Sequence, residues 1–259
     1  MTTGAHDRDE AEVRFDFLLQ LADTSLILGQ RLGEWVGHAP ALEEDLGLAN
    51  ISLDLIGQAR LLLTYAGELE GRGRHEDQLA FLRVESEYRN LVLAEQPNGD
   101  FAQTIARQVL VDAYQLELYT RLQQSSDARL AALATKFLTE TRYHFRYSSG
   151  WLVRLGDGTA ESHRRAQQAV DQHWPYTREF FDTQENDLAL VRLGIAPPLA
   201  EVEPDWSARI DAVLSEATLE RPAPTPYRWC GRRGAHSEHL GYMLADMQYL
   251  QRTYPGAEW

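Results

Sequence analysis

The 259 residues predict an all-α fold, a bundle of four long helices followed by shorter helices toward the C-terminus. Two observations carry this expectation. Apolar residues recur at spacings of three and four, the period of an amphipathic helix, along most of the chain. No stretch alternates apolar and polar residues as a half-buried strand requires.

Leu18, Leu21, Ser25, Leu28, Leu32 and Trp35 mark one face of the first helix. Gly37-His38-Ala39-Pro40 ends it, and Pro40 suits the first turn of the next helix. That second helix is expected to run to about Leu69, ahead of Gly71-Arg72-Gly73. It carries two apolar stripes: Leu42, Leu46, Ala49, Leu53, Ile56, and Leu48, Ile51, Leu55, Leu62. A helix apolar on two faces is expected at the centre of a bundle. Glu76 to Glu95 reads as one or two short helices. Pro97-Asn98-Gly99-Asp100 is a turn, with Asp100 placed to cap the third long helix, Phe101 to Gln123. Ile105, Val109, Asp112, Leu116 and Tyr119 share one stripe of it.

The fourth helix spans about Ala128 to Leu155, with Leu130, Leu133, Phe137, His144, Trp151 and Leu155 on one face. Thr159 to Phe181 is helical in pattern, with a kink expected at Pro175. Prolines then bracket a helix near Trp206 to Leu219, an extended loop covers 221–234, and a last helix runs from Ser237 to Arg252. Residues 1–12 read as a disordered polar tail and 13–259 as a single domain.

There are 39 acidic and 25 basic side chains, a net charge of −14. That balance argues against nucleic acid or an anionic membrane as partner. Cys230 is the sole cysteine, which excludes an intrachain disulfide and cysteine-ligated zinc or iron–sulfur clusters in this chain. The first residues lack the apolar core of a secretory signal, and no run approaches 18 apolar residues. A cytoplasmic location without a membrane span is the expectation.

Interior polar residues in a long-helix bundle raise the question of a di-metal site. Such sites take a Glu from each of two helices and a Glu-x-x-His from each of the other two. Residues three apart lie above one another on a helix, so both reach the same metal pair. No Glu-x-x-His occurs here: His144 follows Thr141, His239 follows His236, His163 follows Ala160 and His38 follows Trp35. The nearest approaches, Glu140 with His144 and Glu34 with His38, are four apart. Asn50, Asp54 and Gln58, then Asp112, then Glu140 and His144 nevertheless interrupt apolar stripes. A buried hydrogen-bond network is the expected role of these residues, since buried polar groups must be paired. The alternative is an independent di-metal carboxylate oxidase built on Asp54, Asp112, Glu140 and His144 as an atypical ligand set.

His236-Ser237-Glu238-His239 stands at a helix start, where Ser237 is expected to cap. Gly231-Arg232-Arg233-Gly234 offers two arginines, the residue type that pairs bidentately with phosphate or carboxylate. Arg232 and Arg233 are therefore candidates for meeting a phosphate or carboxylate or for docking an acidic partner.

Several segments together resemble a known family. They are Gln30-Arg-Leu-Gly-Glu-Trp-Val-Gly-His-Ala-Pro40, Leu48-Ala-Asn-Ile-Ser-Leu-Asp-Leu-Ile-Gly-Gln-Ala-Arg60 and Glu95-Gln-Pro-Asn-Gly99. Ala102-Gln-Thr-Ile-Ala-Arg107, Tyr143-His-Phe-Arg146, His236-Ser-Glu-His-Leu-Gly241 and Met247-Gln-Tyr-Leu-Gln-Arg252 follow in register. Over roughly Leu18 to Trp259 the chain is similar to the C-subunits of bacterial phenylacetyl-CoA epoxidases. The resemblance implies a ferritin-like bundle in a multicomponent monooxygenase that epoxidises the ring of phenylacetyl-CoA in phenylacetate catabolism. It implies a structural subunit, with no cofactor of its own. Its partners are the catalytic A-subunit, which holds the di-iron centre, a small bridging subunit, and a reductase with FAD, an iron–sulfur cluster and NADPH. Association with a second copy when alone stays open, and the resemblance makes Arg232 and Arg233 candidates for docking the CoA moiety or the reductase. Carried over position by position, the metal-ligand places fall on Gln30, Asp54, Gly57, Asp112, Thr141 and His144. Gly57 offers no side chain and Thr141 no carboxylate, so the implied site is degenerate and no metal is expected.

Overall fold

The protein is described by a computed structural model covering residues 10–257. Four long helices form the bundle: α1 (Glu10–Gly33), α2 (Leu42–Glu70), α5 (Phe101–Leu122) and α6 (Ala128–Gly156). The crossover between α2 and α5 contains the short helices α3 (Glu76–Phe81) and α4 (Val92–Glu95). After the bundle come α7 (Ala160–His173), α8 (Glu185–Arg192), α9 (Leu199–Glu216), α10 (Glu238–Met247) and α11 (Tyr249–Thr253). Among the described residues there is no strand, only an isolated bridge between Cys230 and Ala235. Two antiparallel pairs, α1 with α2 and α5 with α6, joined by one long crossover, make a ferritin-like arrangement.

Local chemistry explains where the helices begin and end. Asp100 caps α5 by accepting from the Gln103 amide at 3.0 Å. Asp127 caps α6 by accepting from Arg129 and Leu130. Thr159 and Ser162 cap α7 reciprocally. α2 stops at Gly71, whose φ of 67° only glycine adopts without strain. α5 is the central helix. Ile105, Val109, Asp112, Leu116 and Tyr119 are all buried, and so is most of the rest of it.

Several boundaries differ from expectation. Glu10–Glu12 form the first turn of α1, while residues 1–9 of the expected tail lie outside the described residues. Pro40 precedes α2 by two residues instead of sitting in its first turn. The pattern to Phe181 divides at Trp174, where Pro175 enters a 3₁₀ segment, Trp174–Phe180. α9 starts at Leu199 and carries Pro204 within it, because Leu199, Val202 and Trp206 are all buried on one side. The last helix breaks at Gln248, whose side-chain amide donates to the Arg83 carbonyl and the Tyr88 hydroxyl.

The largest correction concerns α2. Leu48, Ile51, Leu55 and Leu62 are fully buried, but Leu42, Leu46 and Leu53 are 70%, 58% and 66% exposed. α2 is therefore an outer helix of this chain, with one of its two stripes uncovered. By length and composition alone α2 is apolar enough to cross a membrane, a property it shares with core helices of water-soluble bundles. Half of its most apolar window is buried within this chain.

Buried polar pairs pin the crossover to the bundle. Arg83 and Asp23 form an ion pair with both side chains enclosed, and Asp23 also accepts from the Arg89 amide at 2.8 Å. Glu95 on α4 accepts from Asn90, from the Ser237 amide and from His236. His236 lies with Nδ1 2.9 Å from Glu95 and Nε2 3.1 Å from the Tyr88 carbonyl. Both ring nitrogens face acceptors, which suits the imidazolium form. Burial alone pulls the imidazole down, but Glu95 and the Tyr88 carbonyl outweigh it and hold His236 above the usual histidine range.

These pairs can be tested one at a time. Removing one partner of a buried ion pair strands the other charge, so Arg83→Met is expected to lower unfolding free energy by about 3–5 kcal/mol, read by urea denaturation. The raised value of His236 makes its contribution complete below pH 6.5 and lost as pH rises through the folded-state value. Melting temperatures between pH 6 and 9 should therefore fall more steeply for wild type than for His236→Gln.

Candidate functional site: a polar centre between α2, α5 and α6

α2 and α6 lie side by side and antiparallel. Gly47 faces Tyr147 so closely that a Cβ would come within 2.9 Å of Tyr147 Cε2. Farther along, Asp54 meets His144, Gln58 meets Glu140, and the Tyr65 hydroxyl donates to Asp127 at 2.6 Å. α5 closes the group from the interior with Gln108 and Asp112.

The polar contacts form two small networks. Asp54 Oδ2 lies 3.1 Å from His144 Nε2, and Gln58 Nε2 donates to Glu140 Oε2 at 2.9 Å. Deeper, Asp112 accepts from Ser148 Oγ at 2.7 Å and from Gln108 Nε2 at 2.6 Å. Hydrogen-bonding Asp54 through Nε2–H leaves His144 Nδ1 buried without a partner. Burial pushes the Asp112 carboxyl up to about 6, while His144, Ser148 and Gln108 restrain the rise.

These residues do not fit a di-metal centre. Gln30 offers a neutral amide, and Gly57 offers nothing: a Cβ there would meet no atom within 4 Å. Thr141 contributes only a hydroxyl, which is buried and unpartnered. Among the described residues no three His, Cys, Asp or Glu side chains gather as a metal-binding group. Asp54, Glu140 and Asp112 instead spend their oxygens on His144, Gln58, Ser148 and Gln108.

Two expected site residues lie elsewhere. Asn50 is exposed, one residue round the helix from buried Ile51, so it belongs to the outer face of α2 and not to an interior network. Arg232 is buried and pairs with Asp187 through both terminal nitrogens, at 3.1 and 3.2 Å, so it is not available for docking. Arg233 beside it is exposed. Ser237 does take the cap position of α10, but its side chain forms no cap bond and accepts from Gln96.

Gln108 and Ser148 join the site without standing out in the sequence. The signal that could find them is spacing: Gln108 stands four residues before Asp112 and Ser148 four after His144, each pair on one helix face.

The raised carboxyl of Asp112 gives a signed prediction. Ionisation inside the bundle opposes folding, so Asp112's contribution is intact below its unfolded value of 3.8 and lost as pH rises through about 6. Asp112→Asn keeps an acceptor for Ser148, and Gln108 can turn its free Oε1 toward the new amide. The variant is expected to gain up to about 3 kcal/mol over wild type at pH 8, at roughly 1.4 kcal/mol per pK unit. Thermal melts should show that gain shrink to about a third at pH 4.5 and nearly vanish at pH 3.

Comparison with known proteins places this chain. It is 54% identical over 243 residues to the C-subunit of 1,2-phenylacetyl-CoA epoxidase from Escherichia coli (strain K12), covering 94% of this chain and 98% of that protein. Residues 2–259 match the family described as "Phenylacetic acid catabolic protein". By the match along nearly its whole length and by this identity, the chain belongs to the phenylacetic acid catabolic protein family.

Proposed function

We propose that this chain is the non-catalytic scaffold of a phenylacetyl-CoA epoxidase complex, stabilising and positioning the subunit that performs the chemistry. The observation that carries this reading is the centre between α2, α5 and α6, where hydrogen bonds and a glycine stand in place of a ligand set. The relative's designation as an epoxidase subunit supports it, and so does the uncovered stripe of α2. On this reading the di-iron centre lies in the catalytic subunit. Electrons from NADPH pass through a reductase carrying FAD and an iron–sulfur cluster, and the assembly also includes a small bridging subunit. The complex acts in the cytoplasm.

The work done by such a scaffold is linkage. A partner that binds the folded catalytic subunit but not its unfolded chain stabilises it by about 4 kcal/mol at a thousandfold excess over Kd. Permanent interfaces of this kind bury about 2,000 Å² or more.

Two measurements test the proposal together. Elemental analysis of this chain, expressed alone in iron-replete medium, is expected to give iron well below one atom per chain. About two atoms per chain, the complement of a di-iron bundle, would establish an independent di-metal protein instead. Expressed without this chain, the catalytic subunit is expected to lose solubility and most of its epoxidase activity. A stable and fully active catalytic subunit on its own would end the scaffold reading.

A further inference from the structure

α6 is a positive helix in a negative protein. Between Ala128 and Gly156 it carries Arg129, Lys136, Arg142, Arg146 and Arg154 against a single acid, Glu140, in a chain of net charge −14. All five basic residues are exposed, while Glu140 is half-buried and taken up by Gln58. Lys136, Arg142, Arg146 and Arg154 fall within about 120° of the helix surface and span about 27 Å of its length. Exposed Tyr143 stands among them.

Elsewhere in this acid-rich chain exposed arginines find carboxylates. Arg164 and Arg165 pair with Glu161, Arg221 with Asp211 and Arg228 with Asp182. On α6, Arg129 pairs with Glu68, but Lys136, Arg142, Arg146 and Arg154 form no ion pair among the described residues. Arg146 lies 5.6 Å from the centre of the Tyr143 ring and Arg154 5.1 Å from that of Trp151. A guanidinium laid on an aromatic face keeps its N–H donors at its edge, open to a second group. These two are held in place without being neutralised.

The make-up of the face selects the kind of partner. A permanent interface is built on a centre depleted of charge. The α6 face offers charge and one tyrosine, which suits a small, transient contact steered by electrostatics. A two-fold contact with a second copy would set arginine against arginine. The net charge of −14 opposes nucleic acid and anionic membrane. An acidic protein surface is the partner this chemistry fits. In the complex proposed above, the catalytic and scaffold subunits stay together. The component that must arrive, deliver electrons and leave is the reductase.

We propose that the outer face of α6, from Lys136 to Arg154, is the landing surface for an acidic face of that reductase. The inference rests on the scaffold reading and gives this chain a second role, drawing the electron donor to the complex. Attraction at long range raises the encounter rate, and a contact without an apolar centre lets the donor leave between turnovers.

The test titrates the reductase against the assembled complex, with NADPH-dependent epoxidation as the readout. For wild type, the reductase concentration that gives half the maximal rate is expected to rise with salt. The double variant Arg142→Glu/Arg146→Glu is expected to raise it about tenfold or more and to flatten its salt dependence, with the rate at saturating reductase within about twofold of wild type. Both positions are exposed, so the isolated variant is expected to melt as wild type does. Lys136→Gln should give a smaller rise. Arg192→Glu, at an exposed position on α8, should give none. Wild-type half-saturation in the double variant would overturn this surface and leave the scaffold reading intact. Loss of the catalytic subunit from the purified double variant would assign the face to the permanent interface and overturn the inference. So would a homodimer of the wild-type chain that the double variant disperses, or binding to phosphatidylserine vesicles that it abolishes. A catalytic subunit fully active without this chain, at the same reductase requirement, would overturn both readings.

Discussion

Burying Asp112 between α5 and α6 sets the terms for the middle of the bundle. A carboxylate removed from water needs donors or a cation, and a metal pair would have supplied the charge. Here Ser148 and Gln108 donate instead, and His144 lies close enough to oppose the rise in its pKa. Each donor comes from a helix already packed there, so the group is satisfied only while α5 and α6 keep their register. Specific register is what an interior polar cluster contributes, at some expense in stability relative to an apolar core.

The crossover obeys the same rule on a larger scale. A connection from Gly71 to Asp100 cannot be held by its two short helices alone. It is fixed by charged groups that reach across the fold: Arg83 to Asp23 on α1, and Glu95 to His236 and Ser237 near α10. Glu179 extends the set by accepting from the amides of Val92 and Arg232. Arg107 completes the anchorage of the loop before α5. It donates to the Gln96 carbonyl and to Asn98 Oδ1, and burial lowers it to about 9, still protonated at neutral pH. The C-terminal segment is thus tied to the crossover as firmly as the crossover is tied to the bundle.

The helices of the bundle are legible in the sequence because their signals are local. Asp100, Asp127 and Gly71 mark ends, and apolar spacing marks faces. What stays hidden is what depends on distant contacts. Nothing near Trp206 reveals that Leu199 and Val202 are buried and carry the helix through Pro204. Arg232 reads as an exposed cation because Asp187, 45 residues away, is its partner only in the folded chain. The two stripes of α2 are legible as apolar, but composition cannot tell a buried stripe from one awaiting a partner. At the site, residue types and spacing show that no Glu-x-x-His pair is present. They do not show that Asn50 faces outward or that Asp54 is half-exposed.

Gly57 and Thr141, neither of which offers a metal-binding group, differ in their surroundings. Thr141 is enclosed, and its unpartnered hydroxyl carries a desolvation cost of about 1–3 kcal/mol. A smaller side chain there would instead leave an interior void, at about 24 cal/mol per Å³ of cavity. Gly57 lies at the rim, where water fills the space freely. Its only local effect is the roughly 1 kcal/mol that glycine costs a helix relative to alanine.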